Sequence, residues 1–359
     1  MRKQFIAAGF VFFSLISAQK ATAADFSQLV VFGDSLSDTG NTFNISGGLI
    51  NPTTAIPPNP PYFQGRFSND LVWVDYVGEQ LGLTPTLFTA LTTTIPTQGI
   101  NFAIGGANSG TGNAIVPNIP LPGVQEQVGL FAQPLLTSNQ TADPNALFAV
   151  WGGGNDYLFG NVTDPNQTVQ NLSNSVATLA SVGAKNILVF NLPDLGKTPA
   201  ALAAGNSSNL TTLTTIHNAA LASALSQLSS SNPGVNIIPV DVYSLINRII
   251  ANPGEFGFNN VTASCVIGDL QNITSVCNNP NDFLFFDAVH PSTNAHRLVA
   301  DTVFSATNAT SVPEPTATLG ILALGIGAAG VLKRKQKQSA IARSAAAKPN
   351  APASRVQEV

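Results

Sequence analysis

VVFGDSLSDTG, residues 30–40 of a 359-residue chain, begins as a strand and ends as a turn. The apolar run at 29–32 stops at Gly33-Asp34-Ser35, and polar or small residues follow. Gly33 lets the backbone bend tightly there. A serine just after a strand is ordinarily the N-cap of the next helix. It also stands where ligands bind in an open α/β sheet, beyond the carboxyl end of a strand. A serine hydroxyl is a weak nucleophile at neutral pH, so a reactive Ser35 needs an adjacent base, and that base needs an orienting acid.

The rest of the chain alternates in the same way. Short apolar runs at 29–32, 99–104, 146–151, 186–191 and 235–240 read as strands. Helical periodicity fills 70–81, 124–137, 165–182, 210–229 and 291–304, with Asp164 as N-cap and Pro165 at the first position of the third of these. Strands that are apolar throughout, such as ALFAV, suit a parallel sheet covered by helices on both faces. The expectation is a mostly parallel five-stranded sheet. Its carboxyl-end loops would be 33–37, 105–110, 152–156 and the segment before His290. The proline-rich stretch 51–62 reads as a wall or lid beside the first of these.

Of the three histidines, His217 sits in mid-helix and His296 lies within the last helix, where packed or solvated rings are the ordinary case. His290 stands in DFLFFDAVHPS, on a loop entering a helix, three residues after Asp287. In such a D-x-x-H turn the carboxylate can fold back on the imidazole, fix its tautomer and stabilise imidazolium. A helix-capping role for Asp287 fits the position equally. NFAIGGA at 101–107 ends a strand in paired glycines, and the Gly106 N–H can approach a ligand closely. WGGGND at 151–156 offers the Asn155 amide, while Asp156 reads as a loop brace. Tight turns are the plainer reading of these glycines. With the Ser35 N–H, the three groups could form an oxyanion site.

Taken in order, GDS, the GG of NFAIGGA, GGND and DAVH resemble the GDSL family of SGNH hydrolases. SLSDTGN after the serine and GRFSNDLVWVDYVGEQLGL at 65–83 are similar to further family stretches, with Asp70 where Gly is more usual. The resemblance implies a three-layer α/β/α fold like flavodoxin and hydrolysis of carboxylic esters without metal or cofactor. It implies Ser35 as nucleophile, His290 as base, Asp287 as its orienting acid, and Gly106 and Asn155 as oxyanion donors. Lipids, acylated sugars and polymer esters all suit it as substrates, and some relatives transfer the acyl group to another alcohol. Phe43, Ile45, Phe63 and Phe67 read either as an apolar rim or as core.

The ends of the chain read as targeting segments. A basic start, an apolar run at 5–16 and Ala21-Thr22-Ala23 form a signal-peptide pattern over 1–23, which implies export. The hydrolase domain would occupy 24–310. Pro313-Glu314-Pro315, an apolar run at 316–332 and Lys333-Arg334-Lys335 resemble a PEP-CTERM sorting tail over 311–335, departing from it in the polar extension 336–359. That resemblance implies a membrane sorting protease as partner and attachment through the apolar helix before cleavage. A plain membrane anchor is the other reading. Charged residues make up only 9% of the chain with a net charge of -4, against roughly 25% in ordinary domains, so there is no basic footprint for nucleic acid. A surface-displayed binding protein of the cell envelope would also suit this surface. The two cysteines, Cys265 and Cys277, could close a disulfide in an exported protein. With three scattered histidines they show no metal-ligand spacing.

Overall fold

The structure, a computed structural model, describes residues 26–311 except 94, 95 and 117. The signal-peptide and sorting-tail readings therefore fall outside the described residues. In chain order the elements are β1 (Leu29–Gly33), α1 (Asn41–Ile45), α2 (Trp73–Leu81), β2 (Thr86–Leu87), β3 (Ile100–Asn101), α3 (Val124–Thr137), β4 (Leu147–Trp151), α4 (Gly154–Leu158) and α5 (Pro165–Ser181). They continue with β5 (Asn186–Phe190), α6 (Pro199–Ala203), α7 (Ser207–Ser231), β6 (Asn236–Val240), α8 (Val242–Ala251), β7 (Asn260–Ser264), β8 (Val266–Gly268), β9 (Ile273–Val276), β10 (Phe283–Phe285) and α9 (Thr293–Ser311).

The first six strands form one sheet in the order β2-β3-β1-β4-β5-β6, parallel at every pairing. The period of two along each strand sorts side chains between two cores. Leu29, Val31, Leu147, Ala149, Trp151, Leu188 and Phe190 face α2, α8 and α9. Val30, Phe32, Phe148, Val150, Ile187 and Val189 face α3, α5 and α7. This is the expected three-layer α/β/α arrangement. Phe190 stacks on Trp151 at 4.7 Å and tilts against Trp73 at 4.6 Å, filling the first core.

The sheet has six strands rather than five. The addition is β2, two half-buried residues on the edge beside β3, too short to leave a periodic signal. The strand expected at 99–104 shortens to Ile100–Asn101, although Phe102 and Ile104 still donate to Val31 O and Gly33 O along β1. The helix expected from 70 starts at Trp73, because the Asp75 carboxylate accepts from Val72 N at 2.9 Å and caps it there. Asp164 caps α5 as expected, accepting from Asn166 N. Pro239 in β6 lies on the opposite edge, where a missing N–H costs no ladder bond.

The chain leaves β1 for one side of the sheet and returns to build the other, so β1 lies between β3 and β4 at the switch in strand order. Crevices open at such points beyond the carboxyl ends. The end of β1 is held by a side-chain clip from α3. Buried Gln127 accepts from Gly33 N at 2.9 Å and donates to Gly33 O at 2.9 Å. A Cβ on Gly33 would lie 2.8 Å from Trp151 O, so only glycine lets β1 end so close to β4. Gln127→Met orphans the buried Gly33 N–H. It is expected to lower unfolding free energy by about 2–3 kcal/mol, read as a shifted urea midpoint at constant slope.

Candidate active site

Ser35, second residue beyond β1, is buried with its Oγ 2.8 Å from His290 Nε2. His290 lies between β10 and α9 in a tight turn closed by Phe286 N donating to His290 O at 2.8 Å. The Asp287 carboxylate folds back into this turn. Its Oδ1 accepts from Val289 N at 2.9 Å and His290 N at 2.7 Å, and its Oδ2 lies 2.7 Å from His290 Nδ1. Burial alone would raise the Asp287 carboxyl, but the facing His290 charge and hydrogen bond, with the two backbone N–H groups, hold it below its ordinary value. An ionised carboxylate only accepts, so Nδ1 carries the ring proton and Nε2 presents its lone pair to the Ser35 hydroxyl.

Tyr62 donates its hydroxyl to the same Asp287 Oδ2 at 2.7 Å, and its ring packs edge-on against Phe286. Phe67 lies against the His290 imidazole, ring centroids 5.1 Å apart. Tyr62 ends the proline-rich stretch that reads as a wall, and nothing in the sequence marks it as a partner of the aspartate. Proximity across 225 residues is a tertiary fact.

Gly106 follows β3 with φ +79°, a region that favours glycine, and a Cβ there would lie 2.5 Å from Asn113 Oδ1. Asn113 rivets this loop. It donates to Gly105 O at 2.7 Å and accepts from Ile115 N and Val116 N. Asn155, in the first turn of α4, donates to Ala107 O at 3.1 Å and to Asp34 Oδ2 at 3.3 Å. Burial lifts the Asp34 carboxyl to about 6, against the pull of the Leu36 N–H and of His290.

Two further aspartates hold the loops together. Asp38 takes hydrogen bonds from Gly40 N, Asn41 N, Thr42 N and, across the crevice, from Gly105 N at 3.1 Å. Asp156 takes them from Ser109 N at 2.8 Å and Ser109 Oγ at 2.6 Å, the bracing role its place implies. Burial raises both carboxyls. Asp38 lies inside the opening stretch, yet its reach to the second glycine loop is invisible in sequence.

These loops line a cavity of about 480 Å³ that contains Ser35, Gly106, Asn155, Asp287 and His290. Of the four rim candidates, Ile45 and Phe67 line it, while Phe43 is buried under Gly48 and Gly65. Ile56 and Tyr62 also line it, so stretch 51–62 does supply a wall. Cys265 and Cys277 are joined and tie the foot of the β8–β9 hairpin. The other two histidines lie apart from this cavity: His217 is buried in α7 with Nδ1 2.8 Å from Tyr157 OH, and His296 is buried in α9.

Fold and site together define a three-layer α/β protein with a serine–histidine–aspartate hydrogen-bonded chain at the carboxyl edge of its parallel sheet. The chain belongs to the GDSL-like Lipase/Acylhydrolase family, whose model matches residues 29–303. It is similar to the esterase EstA of Pseudomonas aeruginosa, 31% identical over 81% of this chain and 48% of that protein. A Pseudomonas putida protein described as uncharacterized in a trpE-trpG intergenic region is 30% identical over 79% of this chain and 49% of that one. The chain thus spans about half the length of these two relatives. A phosphatidylcholine-sterol acyltransferase of Aeromonas hydrophila is 29% identical over 75% of this chain and 73% of that one.

Burial lowers His217 from 6.5 to about 4, so the fold accepts only its neutral ring. The unfolded chain takes up the proton first as the pH falls. Stability from this residue is complete above about pH 6.5 and drains away toward pH 4. The drop is worth about 3 kcal/mol. In His217→Met the lost Tyr157 hydrogen bond is a constant offset. The variant should therefore gain about 3 kcal/mol relative to wild type between pH 7 and pH 4, read by urea unfolding at each pH.

Proposed function

We propose that the protein is an exported carboxylic ester hydrolase that works through an acyl-enzyme on Ser35. The observation that carries this reading is the unbroken chain from Ser35 Oγ through His290 to Asp287, at 2.8 and 2.7 Å. His290 Nε2 takes the hydroxyl proton as Oγ attacks the ester carbonyl. Asp287, ionised and fixed by its backbone donors, stabilises the imidazolium that forms. The carbonyl oxygen becomes an oxyanion facing Gly106 N–H, Ser35 N–H and the Asn155 amide, which exchanges its longer contact, that to Asp34, for the new charge. A single such donor is worth about 3 kcal/mol in the transition state. His290 then hands its proton to the leaving alcohol, and water repeats the sequence on the acyl-enzyme.

The esterase name carried by the Pseudomonas relative supports hydrolysis. The Aeromonas relative's name supports a second reading, transfer of the same acyl group to an alcohol in place of water. The Cys265–Cys277 bridge supports export, since such bonds persist in oxidising compartments. In this reading residues 1–23 direct export, and the tail at 311–335 holds the protein at the membrane until a sorting protease cuts it.

With p-nitrophenyl esters from acetate to palmitate, wild type should turn over. Ser35→Ala should lose about a thousandfold or more in kcat, and Asn155→Ala about a hundredfold or more, each still unfolding cooperatively, with Asn155→Ala melting somewhat lower because the buried Ala107 carbonyl loses its donor. Equal rates in wild type and Ser35→Ala would remove the nucleophile assignment. Diversion of the acyl group to ester product by a dilute added alcohol in water, in preference to hydrolysis, would favour transfer.

A further inference from the structure

The cavity has two walls of different chemistry, each fastened to a different part of the reacting group. One wall is branched aliphatic: Ile115, Val116, Ile119 and Leu121, with Ile45 of α1 beside them. It belongs to the Gly106 side. Ala114 N donates to Gly106 O at 2.9 Å, and a Cβ on Gly106 would touch Ile115 Cγ1 at 2.9 Å. The other wall is the tip of the β8–β9 hairpin: Gly268, Asp269, Leu270 and Gln271. It belongs to the His290 side. Val266 N donates to Phe286 O at 2.7 Å and Cys265 N to Phe285 O at 3.2 Å, just ahead of Asp287. The disulfide closes the hairpin at its foot, and Leu270 packs against the cluster of Tyr62, Cys265, Val266 and Phe286.

Reaction geometry decides which half of an ester meets which wall. The carbonyl oxygen must face Gly106 and Asn155. The leaving oxygen must come within hydrogen-bond reach of His290 Nε2 to receive its proton. The acyl chain takes the remaining direction, away from the imidazole. We propose that the cavity sorts its ester, seating a straight acyl chain on the Ile115–Ile119 wall and a neutral, hydroxyl-bearing alcohol against the hairpin tip. This rests on the reading of Ser35 as the nucleophile.

Each wall suits its half. Ile45, Ile115 and Ile119 are 43%, 43% and 49% exposed, apolar surface that a hydrocarbon chain would cover. At the hairpin tip Asp269 is fully exposed, and the N–H groups of Gln271 and Asn272 hold its carboxyl below the ordinary value. It is therefore ionised at neutral pH. A carboxylate at the leaving-group side accepts from alcohol hydroxyls and repels an anionic headgroup. The exposed Gln271 amide adds both a donor and an acceptor. The alcohol it fits is a polyol such as glycerol or a sugar, without a phosphate.

The test crosses two substrate ratios with two sets of variants of the full chain. Acyl preference is the kcat/KM ratio of p-nitrophenyl octanoate to acetate. Headgroup preference is the ratio of 1-octanoylglycerol to 1-octanoylglycerol 3-phosphate, read as octanoate released. Wild type should favour octanoate, gaining about threefold per added methylene at first, and should favour the neutral glycerol ester by about fivefold, the size expected for one like-charge pair about 4 Å apart in solvent. Ile115→Asn and Ile119→Asn, polar but uncharged and both at exposed positions, should each collapse the acyl ratio by about tenfold or more and leave the headgroup ratio alone. Asp269→Asn should bring the headgroup ratio toward one and leave the acyl ratio alone. A crossed result, a wild type that prefers the phosphate ester, or variants that move neither ratio would overturn the sorting while Ser35→Ala still abolished turnover. A wild type no faster than Ser35→Ala on every ester would overturn the nucleophile reading and the sorting with it.

Discussion

The Ser35–His290 hydrogen bond joins residues 255 apart in the chain, and most of the fold can be read as what brings them to 2.8 Å. The serine end is set by the central position of β1 and by the Gln127 clip on Gly33. The histidine end lies outside the main sheet and needs its own bracket, which the segment between α1 and α2 provides. Tyr62 donates to Asp287, and Ser68 Oγ donates to Pro291 O at 3.0 Å. Thr293 N donates to Asn69 Oδ1 at 3.0 Å, and Thr293 Oγ1 to Leu71 O at 2.8 Å. Polar groups buried in this way are satisfied only when both segments are in place. The bracket and the histidine turn therefore order together.

Four buried aspartates surround the crevice, and environment alone separates their roles. Asp34, Asp38 and Asp156 face mainly hydrogen-bond donors without a full opposing charge in contact, and burial raises all three. Asp287 is equally buried but faces an imidazole at 2.7 Å, and it alone of the four is lowered. The first three work as tethers. Asp38 binds the serine loop to the first glycine loop, Asp156 binds that loop to α4, and Asp34 steadies the Asn155 amide. The loops that follow β1, β3 and β4 are thereby coupled to one another at the edge where the crevice opens.

Much of the fold was legible because strands buried on both faces must be apolar on both, and runs such as LVVF and ILVF are short, rich in β-branched residues and alternate with helical segments. The helix at 124–137 and the Asp164-Pro165 start of α5 were legible from local rules of periodicity and capping. What escaped is what local rules do not govern. β2 is an edge pair of two residues held only by β3. The strands of the β7–β10 region are five residues or fewer, too short to declare themselves, whereas α8 carries a local signal, Val242, Leu245, Ile246, Ile249 and Ile250 at helical spacing behind the Asp241 N-cap.

The sequence by itself determined the kinds of groups present and their order: a serine ending a strand, two glycine loops, and an aspartate three residues before a histidine. Spacing within one turn made the Asp287–His290 contact legible, since both groups ride the same few residues. Only the tertiary structure decided which histidine meets Ser35, that Tyr62 joins the donors to Asp287, and that the disulfide hairpin and the Ile115 loop both line the cavity at Ser35. Those facts depend on non-local packing, in which strand order and loop tethers set distances that no local pattern encodes.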